Sequence, residues 1–256
     1  MRTSMAFVRK EWLEQLRSGR LLILGILFFL FGVMNPAVAK LTPWLLETMA
    51  ASMAESGMIV TAVSVDAFTS WTQFFKNIPM ALIGFILLQS GIFTREYESG
   101  TLVMPLTKGL ARHSVVLAKT GILIGLWTAG YWLCFAVTYG YNAWFWDNAI
   151  VQNLLFSVFC WWLFGLWTVM LTVLFSVVFS SGGAVTAGVG AAVLAMYLVT
   201  LFSKLAPYSP AFLMNAGGLM TGAEMPSAYT SAIVLTLAES ILCAVIAIPL
   251  FQRKTI

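Results

Sequence analysis

Long uncharged apolar runs alternate with short charged segments along this chain. The first run covers residues 21–39, the second 77–94 and the third 120–146. A helix of about 20 residues is long enough to cross the roughly 30 Å of hydrocarbon in a bilayer. Each run therefore predicts one transmembrane helix.

A fourth uncharged run is too long for a single crossing. It covers residues 148–203, which as one helix would measure about 84 Å. The sequence Ser-Ser-Gly-Gly at 180–183 is typical of a helix-breaking turn. The run therefore predicts two helices, at about 153–179 and 184–203, and the last apolar stretch predicts a sixth helix at about 228–251.

The composition excludes a soluble protein. Of the 256 residues, 60% are hydrophobic and 9% are charged, whereas soluble domains carry about 25% charged residues. The chain is predicted to be an all-α integral membrane protein that forms one domain, 1–256. Its six transmembrane helices are predicted at about 21–39, 77–94, 120–142, 153–179, 184–203 and 228–251. A signal peptide cleaved after Ala39 is a weaker interpretation, because the first run is longer than such an apolar region and follows a charged segment.

Lysine and arginine are distributed unevenly between the two sides of the membrane. Eleven of them lie on one predicted side, in residues 1–20, in the loop at 95–119 and in the C-terminal tail. The other side carries Lys40, Lys76 and Lys204. Because short cytoplasmic loops are enriched in basic residues, both termini are predicted to be cytoplasmic, as an even number of spans requires.

The N-terminal segment has the pattern of an amphipathic helix. At 5–16, apolar side chains recur at helical spacing on one face, while charged side chains lie elsewhere. The segment is predicted to be an interfacial helix that either contacts a cytoplasmic partner as an elbow or only anchors the chain. The apolar residues are Met5, Val8, Trp12 and Leu16, and the predicted elbow residues are Arg9, Lys10, Trp12 and Leu16.

Two segments on the other predicted side are long for loops. In the segment 40–77, Leu45, Leu46, Met49 and Met53 predict a helix that caps the bundle or acts as a lid. The segment 204–227 interleaves prolines and glycines with apolar residues. This broken apolar pattern predicts a re-entrant segment, which is tolerated where protein or a cavity shields the backbone.

The loop after the second span mixes polar and apolar residues. Residues 93–106 read Phe-Thr-Arg-Glu-Tyr-Glu-Ser-Gly-Thr-Leu-Val-Met-Pro-Leu. The acidic residues before the Ser-Gly-Thr sequence predict a turn and a helix start. The apolar residues of 102–106 are then expected to form an exposed face on the water side, which predicts a protein partner.

Together, these features resemble the permease subunits of ABC-2 type exporters. The resemblance rests on the basic amphipathic N-terminal helix, the six spans with both ends inside, the sequence Glu96-x-Glu98-x-Gly100-Thr101-Leu102, and the Pro-rich segment before the sixth span. It implies a cytoplasmic coupling helix in the loop after the second span and short re-entrant helices at about 208–226. The ATPase-contact residues that it implies are Arg95, Glu96, Glu98, Ser99, Gly100, Thr101, Leu102, Met104 and Pro105.

The resemblance also implies partners. Such a permease works with two copies of an ATP-binding subunit and a second permease, here expected to be an identical copy, in a bacterial cell membrane. ATP and magnesium are expected on the partner ATPase and no cofactor on this chain, because the sequence lacks the G-x-x-x-x-G-K-[ST] loop that cradles phosphates. The chain is expected to be a transport subunit and not an enzyme.

Several residues inside the spans are candidates for the translocation path. Glu239 is the one ionisable residue well inside a predicted span, about 16 Å deep. A carboxylate at such a depth is a functional candidate by default, and a protonated, hydrogen-bonded structural role is the alternative. Trp132, Trp161 and Trp162 are the aromatic candidates, for which helix packing is the alternative.

Small residues recur every four positions in the fifth predicted span. A stripe of this kind allows two helices to approach closely. It therefore predicts a packing surface and not a ligand site. The residues are Gly183, Ala187, Ala191 and Ala195.

Other functions fit the sequence less well. An ion-driven transporter often shows repeated halves and paired polar groups, but no convincing repeat is present and Glu239 stands alone. A membrane metalloenzyme needs clustered ligands, whereas His113 is the single histidine and the three cysteines lack metal-ligand spacing, so no metal site is predicted. A scaffold or immunity protein is a further alternative. The apolar, aromatic interior favours a hydrophobic or amphipathic cargo such as a peptide, lipid-linked molecule or drug.

Overall fold

The computed structural model describes residues 2–55, 65–107 and 109–254, and within these ranges the regular structure is helical. The α-helices are α1 Arg2–Arg17, α2 Arg20–Glu55, α3 Ala67–Gln89, α4 Gly91–Ser99, α5 Val103–Thr107, α6 Arg112–Phe145, α7 Leu154–Val178, α8 Gly182–Val199, α9 Gly217–Met220 and α10 Thr230–Arg253. Four short 3₁₀ turns occupy Asn148–Ile150, Ala206–Tyr208, Pro210–Met214 and Pro226–Tyr229.

Among the described residues, six helical segments are long and apolar enough to cross a membrane. They are Arg20–Leu45, Ala67–Ser99, Arg112–Phe145, Leu154–Val178, Gly182–Val199 and Pro226–Arg253. Each one overlaps a predicted span, so the all-α, six-span prediction is confirmed. The predicted break is confirmed as well, because α7 ends at Val178 and α8 begins at Gly182, where the Ser181 hydroxyl accepts a hydrogen bond from the Ala184 amide.

The segment 40–77 differs from the prediction of a long loop with its own helix. Helix α2 continues to Glu55 despite Pro36 and Pro43, and α3 begins at Ala67. Residues 44–55 are rich in Leu, Met, Ala and Glu, which are strong helix formers and favour this extension. The connection is therefore shorter than predicted, and its residues 56–64 lie outside the described part of the chain.

Helix α7 lies at the centre of the bundle and α8 at its edge. Most of α7 is buried within the chain, whereas Val185 and Val189 are the buried residues of α8. Trp127 of α6 packs closely against Gly165 of α7, where an added Cβ would come within 1.9 Å of the indole. The indole nitrogen also donates a hydrogen bond to the Trp162 carbonyl oxygen at 3.1 Å. A glycine is therefore required for this close approach.

Three neutral polar side chains link α2, α3 and α6 inside the bundle. Asn77 donates to the Asn35 side-chain oxygen at 2.9 Å, and Asn35 donates to the Thr138 hydroxyl at 3.3 Å. Thr138 in turn donates to the Gly32 carbonyl oxygen at 2.9 Å. These bonds satisfy buried polar groups for which lipid offers no partner.

The N-terminal helix, α4, α5 and the C-terminal residues lie at one end of the bundle, here called the basic end. Arg112 at the start of α6 donates to the Gln252 and Lys254 carbonyl oxygens at 3.1 and 2.6 Å, and so binds the last turn of α10. The cytoplasmic location of this end stays a prediction from the lysine and arginine distribution.

The segment before α10 lies at the other end, here called the opposite end. It contains three of the 3₁₀ turns and α9, and several of its apolar side chains are buried. The backbone N–H of Gln152 donates a hydrogen bond to the Met220 carbonyl oxygen at 3.1 Å, and this bond attaches the segment to the residues just before α7. Short helices at 208–226 are present, and their re-entry into the membrane stays a prediction.

Candidate functional site

Two lysines and two glutamates form a closed ring of ion pairs at the basic end. Lys119 of α6 lies 2.7 Å from Glu11 Oε2 and 2.7 Å from Glu96 Oε2. Lys10 of α1 lies 2.9 Å from Glu11 Oε1 and 2.5 Å from Glu96 Oε1. Each carboxylate thus bridges both ammonium groups, and the ion ring joins α1, α4 and α6.

The ion ring is largely shielded from water. The side chains of Lys119, Glu11 and Glu96 are 1%, 3% and 7% exposed. Burial of an ion costs several kcal/mol, and this cost is offset only because each charge meets two opposite charges. Lys119 also donates to the Ile92 carbonyl oxygen at 3.0 Å. The loss of one member would therefore leave each of its two neighbours with one opposite charge in the ion ring instead of two.

Lys10 closes the ion ring on its more exposed side. It also pairs with Glu14 at 3.0 Å. Partial burial by itself lowers the pKa of Lys10, but the hydrogen bonds from Lys10 to Glu96 and Glu11 outweigh burial and raise this pKa above the ordinary value. Lys10 is therefore charged at every physiological pH.

Helix α1 faces the bundle with Phe7 and two polar side chains, and it presents the predicted apolar face outward. Glu11 and Gln15 are buried, and Gln15 exchanges hydrogen bonds of 3.3 Å with Gln89 of α3. Met5, Val8, Trp12 and Leu16, the predicted apolar face, are all exposed, as is Arg9. This arrangement suits a helix that lies at a membrane interface and is held to the protein by polar contacts.

The predicted coupling loop forms a turn between two short helices. Helix α4 ends at Gly100, whose φ of 63° lies in the left-handed region that favours glycine, and α5 follows at Val103. The exposed residues around this turn are here called the loop surface. They are Glu98, Ser99, Gly100, Thr101, Val103 and Met104.

The other predicted contact residues have different environments. Arg95 is exposed on α4 and Pro105 lies in α5. Glu96 is buried in the ion ring and Leu102 is fully buried in the core, so these two side chains lie beneath the loop surface and not on it. Burial of an apolar leucine is favourable, and Glu96 is buried because both lysines compensate its charge.

Aromatic contacts and a lysine attach the buried side of α4 to the rest of the bundle. The rings of Phe93 and Tyr97 pack on Phe251 of α10 at centroid distances of 5.7 and 6.5 Å. The ammonium of Lys254 lies 4.2 Å from the Tyr97 ring centroid and donates to the Val177 carbonyl oxygen at 2.7 Å. Burial lowers the pKa of Lys254. These contacts connect the loop to the ends of α7 and α10.

The carboxylates of the basic end do not fit a metal site. Oxygen atoms of Glu11, Glu14 and Glu96 lie within 4.8 Å of one another. The ammonium groups of Lys10 and Lys119 already occupy the positions between them at 2.5 to 3.0 Å. A divalent ion would have to displace two lysines.

The four residues predicted for a translocation path do not form one surface. Trp161 lines an apolar groove of about 430 Å³ between α3, α7 and α8. Trp162 instead donates to the Thr128 hydroxyl at 3.2 Å, and Trp132 packs on Phe135 at 5.4 Å.

Glu239 belongs to a different part of the bundle. It lies half-buried on α10, beside Trp167. Its side chain is thus separate from the groove that Trp161 lines.

Sequence reasoning did not predict the ion ring. The pattern of charges predicts Lys119 as a residue of the basic loop at 95–119 and predicts no role for Glu11. Phe7, Glu11 and Gln15 recur every four residues and so share one side of α1, but Glu11 is also only three residues from Val8 of the apolar face, so the pattern does not identify Glu11 as buried. Its partner could not be identified without the tertiary structure.

Comparisons with known proteins agree with the geometry. The model of a family described as "ABC-2 family transporter protein" matches residues 5–218. The chain is also similar to the "Uncharacterized transmembrane protein YxlG" of Bacillus subtilis (strain 168), with 25% identity over 227 residues that cover 82% of each chain. No solved structure is significantly similar to the chain.

Proposed function

The chain belongs to the ABC-2 family of transporter proteins, and from this premise we propose that it forms the translocation path of an exporter driven by a separate ATPase subunit. Membership in the family makes it a multi-pass membrane permease of an ABC transporter. The partner, the cargo and the mechanism are the parts that we propose.

The loop surface is the observation that carries this proposal. Met104 is 70% exposed and Val103 is 44% exposed, although both are apolar, and Glu98 on the preceding helix is exposed as well. An exposed patch of apolar and charged residues is typical of a protein interface. We assign the loop surface to contact with the ATPase subunit, with Arg95 at its edge.

The ion ring provides a route from the loop to the membrane helices. Glu96 lies two residues before Glu98, the first residue of the loop surface, and is bound to Lys119 of α6 and Lys10 of α1. A displacement of the loop therefore acts on three helices at once. In our proposal, ATP-driven closure of the ATPases pushes the loop and rearranges the permease between inward-open and outward-open states.

A second permease copy has a suitable surface on α8. The residues of the small-residue stripe, Gly183, Ala187, Ala191 and Ala195, are all exposed on the described chain. Small residues allow two helices to pack closely in a membrane. We propose a homodimer with two ATPase subunits below it, and ATP and magnesium bound to those subunits. The basic end then faces the cytoplasm.

The proposal can be tested by purification from the native membrane. The wild-type protein, extracted in mild detergent, should co-elute with a nucleotide-binding polypeptide and hydrolyse ATP. Glu98→Arg and Met104→Glu, both on the loop surface, should reduce the co-eluting ATPase about tenfold or more, since charge reversal and a buried charge oppose an interface. Tyr208→Arg at the opposite end is the matched control, because Tyr208 is exposed and remote from the loop.

A wild-type protein that elutes without any ATPase would refute the proposal. An ATPase that co-elutes equally with all three variants would refute the assigned docking surface and leave the family assignment intact.

A further inference from the structure

Two cavities lie along successive turns of α3. The lower cavity, of about 430 Å³, lies between α3, α7 and α8 and includes Ile83 and Val193. The upper cavity, of about 480 Å³, includes Lys76 and Asn215 and lies toward the opposite end. Met214 lines both cavities. The two together are here called the α3 groove.

The lower part of the α3 groove offers an occupant mainly apolar surface, and besides Thr168, Thr186 and Trp161 its polar side chain is Tyr197. The hydroxyls of Thr168 and Thr186 donate to carbonyl oxygens of their own helices at 2.7 and 3.1 Å. The indole nitrogen of Trp161 donates to the Met214 carbonyl oxygen at 3.0 Å. Since these polar groups already have partners, a hydrocarbon chain can fill the space without leaving a hydrogen bond unmade.

The upper part of the α3 groove offers one cation. Lys76 is exposed, and none of the described residues forms an ion pair or a hydrogen bond with its ammonium group. The side-chain amide of Asn215 donates a hydrogen bond to Glu224 Oε1 at 3.3 Å, and the Tyr229 hydroxyl donates one to Glu224 Oε2. Lys76 lines the upper cavity and Glu224 does not, so the charged side chain that the described lining offers to a ligand is the Lys76 ammonium group.

From this arrangement we infer that the α3 groove binds a single-chain amphiphile with an anionic head. The head lies at Lys76, and the chain runs down the groove past Ile83 toward Ile86. Ten residues separate Lys76 from Ile86, a rise of about 15 Å along the helix. The inference narrows the amphipathic cargo of the proposed exporter to anionic molecules, and in this respect it rests on the proposed function.

Binding can be measured on the isolated full chain in nanodiscs of phosphatidylcholine. The probe is dodecanoate with a photoreactive diazirine in its chain, and the neutral control is the matching alcohol. Dodecanoate should label peptides that contain Ile83 or Val193. Lys76→Gln should weaken the apparent affinity for dodecanoate about fivefold, as expected for one partly exposed ion pair, and Lys76→Arg should restore it.

Matched variants separate the groove from the general surface. Lys204→Gln removes another exposed lysine and should leave labelling unchanged. Val193→Trp fills the lower groove and should abolish labelling, whereas Val245→Trp on the outer face of α10 should not. A melting temperature measured for each variant shows that the chain is folded.

Three results would overturn the inference. They are equal labelling by dodecanoate and the alcohol, labelling that does not respond to Lys76→Gln, and a groove filled by a second copy, seen as a Val193→Cys disulfide between copies with no probe bound. None of these outcomes requires or removes an ATPase, so loss of the amphiphile site is distinguishable from failure of the proposed exporter function.

Discussion

Lys119 is a buried lysine whose charge is compensated chiefly by two buried carboxylates, Glu11 and Glu96, and by a backbone carbonyl group. Lys119→Met leaves both carboxylates without this partner. We expect a loss of about 3 to 5 kcal/mol in the free energy of unfolding, the usual cost of breaking a buried pair from one side. The fall in melting temperature in detergent, followed by size-exclusion chromatography after heating, measures the effect.

A compensated variant provides the control for this prediction. Lys119→Met combined with Glu11→Gln and Glu96→Gln removes the buried charges together, and its melting temperature should lie much closer to that of the wild type. A single variant Lys119→Met that is as stable as the wild type would show that the ion ring does not form.

The structural role of a single residue can be predicted from the sequence only where it depends on that residue alone and not on a distant partner. Gly100 could be predicted to end a helix, because few other residues adopt its backbone conformation. The burial of Glu96 and Lys119 could not be predicted, because each charge is acceptable inside the protein only when the other is present. Lys119 has the sequence context of an ordinary basic loop residue, and 23 positions separate it from Glu96.

At the scale of elements, the contact between α6 and α7 depends on one glycine. An added Cβ at Gly165 would lie 1.9 Å from Trp127. We therefore expect Gly165→Val to separate the two helices and to lower the melting temperature strongly. Gly125→Ala on α6 is the control, since a Cβ there meets nothing within 4 Å and alanine favours a helix by up to about 1 kcal/mol.

A combined variant tests the same contact from the other side. Trp127→Ala added to Gly165→Val should recover part of the lost stability, because it removes the clashing ring. Equal melting temperatures for Gly165→Val and the wild type would contradict the packing of α6 on α7.

The helices were predictable to different degrees. The six spans could be predicted because length and lack of charge have one physical cause, the thickness of the hydrocarbon layer. The extension of α2 to Glu55 was missed because Pro36, Pro43 and Lys40 look like the end of a span. For α1, the sequence predicts the face that points away from the bundle but not the face that contacts it. Its apolar face was identified, but the polar contacts of Glu11 and Gln15 with the bundle depend on residues far away in the sequence.

For the whole molecule, the distribution of lysine and arginine predicts that the basic end faces the cytoplasm. A measurement of the orientation in the membrane tests this prediction directly. The three native cysteines are buried, so an introduced cysteine should be labelled selectively by a membrane-impermeant maleimide. Tyr208→Cys at the opposite end should react in intact cells, and Ser99→Cys in the loop surface only after the membrane is opened. The reverse pattern would show that the basic end faces outward.

The assembly and the cargo are least accessible from the sequence. The exposed stripe on α8 and the cation of the α3 groove become visible only when the neighbouring helices are in place. The sequence predicts Glu239 and three tryptophans as candidates for the translocation path. The structure places these residues in separate environments. Their roles in transport stay predictions.

Contact between the loop surface and an ATPase can be measured most directly by site-specific cross-linking in the native membrane. Thr101→Cys should form a cross-link, through a short bifunctional maleimide, to a polypeptide that binds ATP, and the yield should change when ATP is added. Tyr208→Cys at the opposite end should give no such product. A Thr101→Cys protein that cross-links to no ATP-binding polypeptide, with or without nucleotide, would contradict the assignment of this chain as the permease of an ATP-driven exporter.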